Sequence, residues 1–598
     1  MNIRWLWLPV TGAALASVAL HACGDSSGGG GGGTGFSYDA GGGSFADAAM
    51  RADVTMTPPP PPPEVEVRRS FQTPQAGGRY VYVANPLRDS VAVIDSQTLA
   101  IQTVEAGDAP TYLVTVPGED IAAVINVNSH TLTILRTGER GTTTSTVPIV
   151  AGANAIAIAP DGRHAIAYLD TDAPNADVSD GSFQDISVIT LTPGMDRAVQ
   201  LSVGFRPLDV AFSADGASGF VITEDGVSIL RFAEIMGPTI IPNVSLDEST
   251  TILPRDAGPD ATPDATPDAT PDATADGGDA ATGDIAEGGD VAPDVAPDVA
   301  PDVAPDVPVA AVPPRDISIT PDGRYAIARV EGTSTLRLVD LSTRVVTTLD
   351  AGGAVTDLDI APSGAFALAV LRARSEVLRI PIPEGFATPS RVARTEVTGE
   401  FVGSVAVAPD SRSALLYTTA LPIERVTLMS LSDASAALQV VRLRKTVRAV
   451  AFSPDSRTAL VVHGHSEGSP DQTGIDLETR IDRSFGYTLI DTATRFAKLQ
   501  LTAADVGPFA LVPDGTYGFV LLRDDAHGVA QAQRVSLRSF VVDTLALGSP
   551  PSSVGAVPGA QRVFIGQEHP EGRITFVDWN TGALQSVTGF ELNSRVVD

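Results

Sequence analysis

The chain has 598 residues, 40 Lys and Arg against 72 Asp and Glu, and a formal charge of −32. Phosphate backbones are bound by clustered cations, so this balance argues against a nucleic-acid partner. Aromatics make up only 5%, and the apolar content rests on Val, Ile, Leu and small residues, which suits β-sheet. Cys23 is the only cysteine, which excludes an intramolecular disulfide, a Cys-based zinc site and thiol catalysis in any folded body downstream.

The chain opens with Arg4 and an apolar run, Trp5–Leu20, too short for a comfortable membrane span. The run ends in Leu20-His21-Ala22-Cys23-Gly24. Leu20, Ala22 and Cys23 resemble the lipobox of bacterial lipoproteins, from which His21 departs. The resemblance implies a signal peptide over residues 1–22 and a lipid on Cys23. It further implies export to the cell envelope, with anchoring in the outer membrane on its periplasmic or cell-surface side. Residues 23–75 read as a disordered tether: Gly28–Gly33 and Gly41–Gly43 are flexible coil, and Pro58–Pro63 is a stiff polyproline II rod.

The stretch RDISITPDGRYAIARVEGTSTLRLVDLSTRVVTTLD, Arg315 to Asp350, predicts a four-stranded meander. Its strands are Asp316–Thr320, Tyr325–Val330, Thr335–Val339 and Arg344–Leu349. Pro321-Asp322-Gly323 closes the first hairpin, with Pro presetting φ and Gly accepting the left-handed conformation. Such a meander cannot bury both faces alone, and copies of it recur. First hairpin turns fall at Gly77-Gly78, Pro117-Gly118, Pro160-Asp161-Gly162, Ala214-Asp215-Gly216 and Pro321-Asp322-Gly323. The series continues with Pro362-Ser363-Gly364, Pro409-Asp410-Ser411, Pro454-Asp455-Ser456, Pro513-Asp514-Gly515 and Pro558-Gly559. About ten units at roughly 40–60 residues is the spacing of propeller blades. A second landmark is Asp-x-x-Thr after the third strand, at Asp95/Thr98, Asp340/Thr343, Asp491/Thr494 and Asp578/Thr581. There the carboxylate is expected to accept backbone N–H groups across the turn, as a cap and not as a catalytic acid.

In the first copy, Arg79-Tyr80-Val81-Tyr82-Val83-Ala84-Asn85 is followed by Ser90–Thr98 and Gly107-Asp108-Ala109-Pro110. This resembles the YVTN family of β-propeller repeats, with Ala84 in place of the threonine. The likeness runs with decay over most of residues 77–598, and it implies a propeller without implying an activity. First strands such as Ile156–Ala159, Val405–Ala408 and Val450–Phe452 alternate bulky with small residues. That is the pattern of strands buried on both faces, as stacked blades require. The expectation is an all-β propeller of about ten four-stranded units, in one ring or two, with blades over residues 76–255 and 315–598. Between them, residues 256–314 repeat Pro-Asp-Ala-Thr and Val-Ala-Pro-Asp. Proline every fourth residue and like charges make this a disordered acidic insert. Its composition invites calcium, but its carboxylates lack a turn that converges them.

Two loops between second and third strands are long, Asp170–Asp185 and His463–Ser484. In a meander both leave on one face, with the acidic insert, opposite the Pro-Asp-Gly turns. Loops on a rigid scaffold are where binding residues concentrate. Candidate residues are Asp170, Asp172, Asp177 and Asp180, which resemble a calcium loop in composition but not in spacing. The others are His463 and His465, which could hold a transition metal with Asp471 or Glu467. No third ligand is recognisable, so the two histidines read as surface residues, and no cofactor is expected. Arg442, Arg444, Lys445 and Arg448 form a basic stripe, read as an outer-strand guard against edge pairing.

The sequence holds no G-x-S-x-G elbow, P-loop or H-E-x-x-H. Some proteins that share the propeller fold are lactonases, calcium-dependent phosphatases or quinoprotein subunits. Trp579 is the only tryptophan after the signal, unlike the tryptophan-rich blades of quinoproteins. The reading is an exported, lipid-anchored binding or scaffolding module at the envelope, its partner a protein, glycan or small ligand. The competing expectations are a hydrolase with its site at the channel mouth, and a structural envelope component.

Overall fold

The computed structural model describes Ser17–Val18 and residues 74–173, 176, 182–246, 315–330, 332–432, 437–569 and 571–589. Cys23, the acidic insert and the tether up to residue 73 lie outside the described residues, and the end of the expected tether, Gln75, already belongs to the first strand of blade 1. The described chain forms ten sheets, each a meander of four principal strands that run antiparallel in chain order. All ten hairpin turns read from the sequence fall between the first and second strands of a sheet. The first strands are Gln75–Ala76, Pro110–Thr115, Ala155–Ile158, Pro207–Phe212, Arg315–Ile319, Asp357–Ile360, Ser404–Val407, Val447–Phe452, Val506–Leu511 and Pro551–Val557. The backbone of Ser17–Val18 pairs with Phe509 and Ala510 on the free edge of the ninth of these.

Ten apolar clusters join the sheets, and each is shared by two neighbours. Blades 4 and 5, for example, bury Phe220, Ile229, Ile319, Ala326 and Val339 together. Blades 10 and 1 do the same with Phe564, Phe576, Val81 and Ile94. The ring is therefore single and closed, a ten-bladed β-propeller. It closes without a shared sheet: the last blade packs face to face on the first, with Gly559 N–H donating to Gly78 O at 2.8 Å.

The turns have one chemistry repeated. In the Pro-Asp-Gly series the Asp carboxylate accepts the N–H two residues on, as Asp322 does from Arg324 and Asp455 from Arg457. The glycine sits at positive φ, 67° at Gly323, and a Cβ there would stand 2.8 Å from Ser213 Cα of the preceding blade. In blades 7 and 8 a serine takes this place, Ser411 at φ 60° and Ser456 at φ 62°. Each serine hydroxyl accepts an N–H from the turn before it, Ser363 at 3.0 Å and Asp410 at 2.9 Å. After the third strand, Asp340, Asp491 and Asp578 each accept two backbone N–H groups across the turn, as the Asp-x-x-Thr pattern predicts. Hydrogen bonding from Ser342 and from the backbone of Thr494 and Thr581 holds their carboxyls below the usual range. At Asp95 burial pushes upward, but the Arg79 guanidinium and turn N–H groups outweigh it and bring the carboxyl down to about 2.

A second repeat was invisible in the sequence. One register position of the third strand carries a buried polar group in eight blades: Thr133, Ser187, Ser228, Arg337, Thr427, Thr488, Gln533 and Thr575. In blades 2, 3 and 4 the hydroxyl accepts an N–H of the connection arriving from the previous blade, from Gly107, Val150 and Gly204. The buried hydroxyl thus satisfies a backbone donor that the turn of direction would otherwise strand.

Two excursions reach back over the preceding blade on the outer rim. Phe232–Pro242 of blade 4 lays Thr239–Ile240 parallel to the outer strand of blade 3, and its Phe232 stacks on His164 at 4.2 Å. In blade 6 a short helix, Glu384–Ala387, follows Ile382 and buries Phe386 against Leu349 of blade 5.

Candidate functional site: the loop-bearing face and the channel mouth

Connections between second and third strands, and those between blades, share one face. Leu246 and Arg315, which flank the acidic insert, both lie on it by strand direction. The two long loops open there as expected, after Tyr168 and after His463. The outer-rim excursions of blades 4 and 6 were not foreseen, although Gly237-Pro238 and Pro383-Glu384-Gly385 mark breaks in the strand pattern there.

The loop of blade 8 is structured. Asp476 caps a helix, Leu477–Arg483, by accepting Thr479 N–H at 2.7 Å. The helix ends on Lys445, whose Nζ donates to the carbonyls of Ile481 at 2.7 Å and Asp482 at 3.0 Å. Lysine at a helix C-terminus meets the free carbonyls and the negative end of the helix dipole. Burial lowers the proton affinity of this ammonium, and the charges of Asp482 and Glu424 oppose that shift. Arg483 donates to Gln472 Oε1 at 2.6 Å, and Ser466 N–H to Asp482 O at 2.9 Å. Above this frame Leu477 is 69% exposed.

The basic stripe reads differently in three dimensions. Lys445 is buried, and Arg448 stands on the innermost strand of blade 8, bonded to Asp505 at 2.7 Å and Val506 O at 2.7 Å. Only Arg442 belongs to an outer strand. Edge protection fails as their explanation because two of the four point inward.

The histidines do not form a pair. His463 ends its strand buried, with Nδ1 bonded to Thr446 O at 2.9 Å and Nε2 to Thr488 Oγ1 at 2.7 Å. Burial drives its imidazole down to about 4, and the nearby Lys445 and Arg448 charges push the same way. His465 sits outside against the Phe485 ring at 4.4 Å, and Asp471 is exposed. The alternation that would aim both rings together breaks at Gly464, where the strand has ended. Among the described residues no group of three metal-ligating side chains converges.

In blade 3, Asp170 and Asn154 exchange two hydrogen bonds, Asp170 N–H to Asn154 Oδ1 and Asn154 Nδ2 to Asp170 O. Asp172 pairs with Arg206 at 3.0 Å, and Arg206 also holds Glu224 at 2.9 Å. Asp177 and Asp180 lie outside the described residues. Asp170 is close enough to raise the proton affinity of two groups on first strands, Tyr112 of blade 2 and Asp209 of blade 4. For Tyr112 burial is the larger cause. Asp209 is raised to about 7, chiefly by burial, against the lowering effect of its bond from Val210 N–H.

Sequence reasoning missed these channel-wall groups. Asp316, Asp357, Asp359, Arg448 and Asp505 also stand on or beside first strands, and most are used to join blades. Asp357 and Asp359 accept Val405 N–H at 2.7 Å and Val407 N–H at 2.8 Å from blade 7. Asp316 takes the Arg329 guanidinium at 3.4 Å. The available signal was a carboxylate interrupting a bulky-small strand.

No family model matches the chain, and no curated protein matches it. Among solved structures it is similar to hydrazine synthase of Kuenenia stuttgartiensis, at 16% identity and a TM-score of 0.29, over 44% of this chain and 76% of that one. It is also similar to the dihydro-haem d1 dehydrogenase NirN in complex with DHE, at 12% identity and a TM-score of 0.37, over 78% and 73%. A third is the β-propeller domain of Cps50 (Swd1) from Myceliophteria thermophila, at 13% identity and a TM-score of 0.27, over 46% and 86%. At such values the likenesses carry nothing about activity.

Proposed function

We propose that this propeller, built from YVTN-type repeats, is a binding or scaffolding module of the cell envelope. Cys23 holds it to the outer membrane through a lipid, and its partner docks on the loop-bearing face. The observation that supports this reading is the blade 8 loop. A capped helix, pinned from below by Lys445, presents Leu477 to solvent, although the ring's apolar clusters do not need it. Rigid display of an apolar side chain lowers the ordering cost of association.

The test uses membranes from cells labelled with a palmitate analogue. Wild type is expected to carry the label, sediment with membranes and retain a cross-linked envelope partner. Cys23→Ala should lose the label and move to the soluble fraction. Replacing residues 464–484 by Asn-Gly must be combined with Lys445→Met, since a buried ammonium stripped of both carbonyls would destabilise the ring. That variant should stay labelled and folded but lose the cross-linked partner. A folded loop variant that keeps its partner refutes the docking face, and an unlabelled wild type refutes the anchor.

A second reading, a hydrolase at the channel mouth, draws support from Asp209 alone, since an acid poised near neutrality suits proton transfer.

A further inference from the structure

Three consecutive blades place an aspartate at one register position of the innermost strand. Asp209, Asp316 and Asp357 each pair with the fifth residue of their second strand, Ile222, Arg329 and Val370. Asp209 and Asp357 also share a local bond, accepting the N–H of the next residue at 2.8 and 2.9 Å. The second oxygen distinguishes them. In Asp357 it takes Val405 N–H of the following blade, and Asp316 takes the Arg329 guanidinium. Asp209 has no such donor among the described residues. Its carboxylate is lodged in the wall near the loop-bearing mouth, with part of the residue open to the channel.

Each engaged carboxylate of this wall is met by an N–H donor, and two of them, Asp316 and Asp505, by a guanidinium. Asp170 from blade 3 adds a second negative charge on the side of Asp209. Across the seam Asp316 is neutralised by Arg329, and behind it Arg206 is occupied by Asp172 and Glu224. The local field is negative, and among the described residues no donor takes the place that the register supplies in the other two blades. We infer that the channel mouth at blades 3 and 4 is a binding site for a guanidinium or ammonium group, held by Asp209 with Asp170 behind it. This goes beyond the docking face proposed above and does not depend on the blade 8 loop.

A cation favours the ionised carboxylate, so binding expels the proton that burial retains on Asp209 up to about pH 7. Affinity therefore rises with pH by about tenfold per unit below that point and levels above it. Agmatine, with a guanidinium at one end and an ammonium at the other, is the probe. Calorimetric titration of the full chain at physiological ionic strength should show binding that strengthens about fivefold from pH 6 to 7 and little from 8 to 9, with matching proton release. Asp209→Asn keeps the acceptor for Val210 N–H and should fold, but lose the binding and the pH dependence. Butyramide, a neutral amide, should not bind. Failure of wild type to bind agmatine at pH 8 overturns the inference. So does equal binding by Asp209→Asn, which would assign agmatine to the general acidity of the chain. If Asp209→Asn unfolds, Asp209→Glu, which keeps the charge and moves it, must shift the affinity, and an unchanged value overturns the site.

Discussion

The seam between blades 6 and 7 and the seam between blades 4 and 5 solve one problem in two ways. Both bury an apolar cluster rich in Val, Leu and Phe. At the channel wall, innermost strands have free N–H and C=O edges. Blade 6 answers with Asp357 and Asp359, two residues apart and so on one side of the strand, each accepting an N–H of blade 7. Blade 4 offers Asp209 at the same register as Asp357 and gains no such bond among the described residues. Each N–H donor favours the ionised form of a carboxylate, and Asp209, with one such donor among the described residues, is pushed up by burial to about 7. The difference shows that a position can keep its residue type around a repeat while its electrostatic role reverses.

The largest expected effect tests that reversal. Asp209 has a folded proton affinity raised from 3.8 to about 7. Between these values the folded state holds a proton that the unfolded state has released. Its contribution to stability is full below about pH 4 and is lost as pH rises through 7. Asp209→Asn mimics the protonated form and should gain on wild type as pH climbs from 5 to 8. Over that window the ceiling is about 3 kcal/mol, reduced by solvent in the channel. Urea midpoints at pH 5 and 8 measure it. An equal midpoint difference at both values would mean that Asp209 titrates normally.

The stapled seam should respond in the opposite sense. Asp357→Ala removes a buried acceptor and leaves Val405 N–H stranded, which is expected to cost about 1–3 kcal/mol. Asp357→Asn retains an amide oxygen and should cost less than the alanine variant. Neither difference should grow between pH 6 and 8. Equal stability of Asp357→Ala and wild type would show the 2.7 Å bond to be dispensable.

The contrast also marks the limit of what the sequence disclosed. Hairpin turns were legible because Pro, Gly and Asp act locally: each restricts its own φ or bonds within three residues, so their spacing indexed all ten blades. The candidate loops were legible as interruptions of that spacing. Partners across a seam were not. Asp357 and Val405 are 48 positions apart, and nothing in the residues around Asp209 tells it from Asp357. His463 and Lys445 were misplaced for a related reason. A polar residue near a loop reads as exposed until its buried partners, Thr488 and the carbonyls of Ile481 and Asp482, are known.

The smallest expected effect lies on the opposite face, where the seams differ in one turn residue. At the blade 4/5 seam Gly323 leaves no room for a side chain, since a Cβ would meet the Ser213 backbone. At the blade 7/8 seam Ser456 occupies the same left-handed position and repays its strain with the bond from Asp410 N–H. A non-glycine residue in that conformation costs about 1–2 kcal/mol, and a hydrogen bond of this kind returns about 0.5–1.5 kcal/mol. Ser456→Ala keeps the strain and loses the bond, so it should destabilise by about 1 kcal/mol. Ser456→Gly loses the bond but also the strain and should lie within about 0.5 kcal/mol of wild type. Chemical denaturation of the three proteins in one buffer gives the order wild type, glycine, alanine, with the first two close together. If glycine is the least stable of the three, the hydroxyl contributes more than the conformation costs, and the serine turns of blades 7 and 8 are inter-blade staples in their own right.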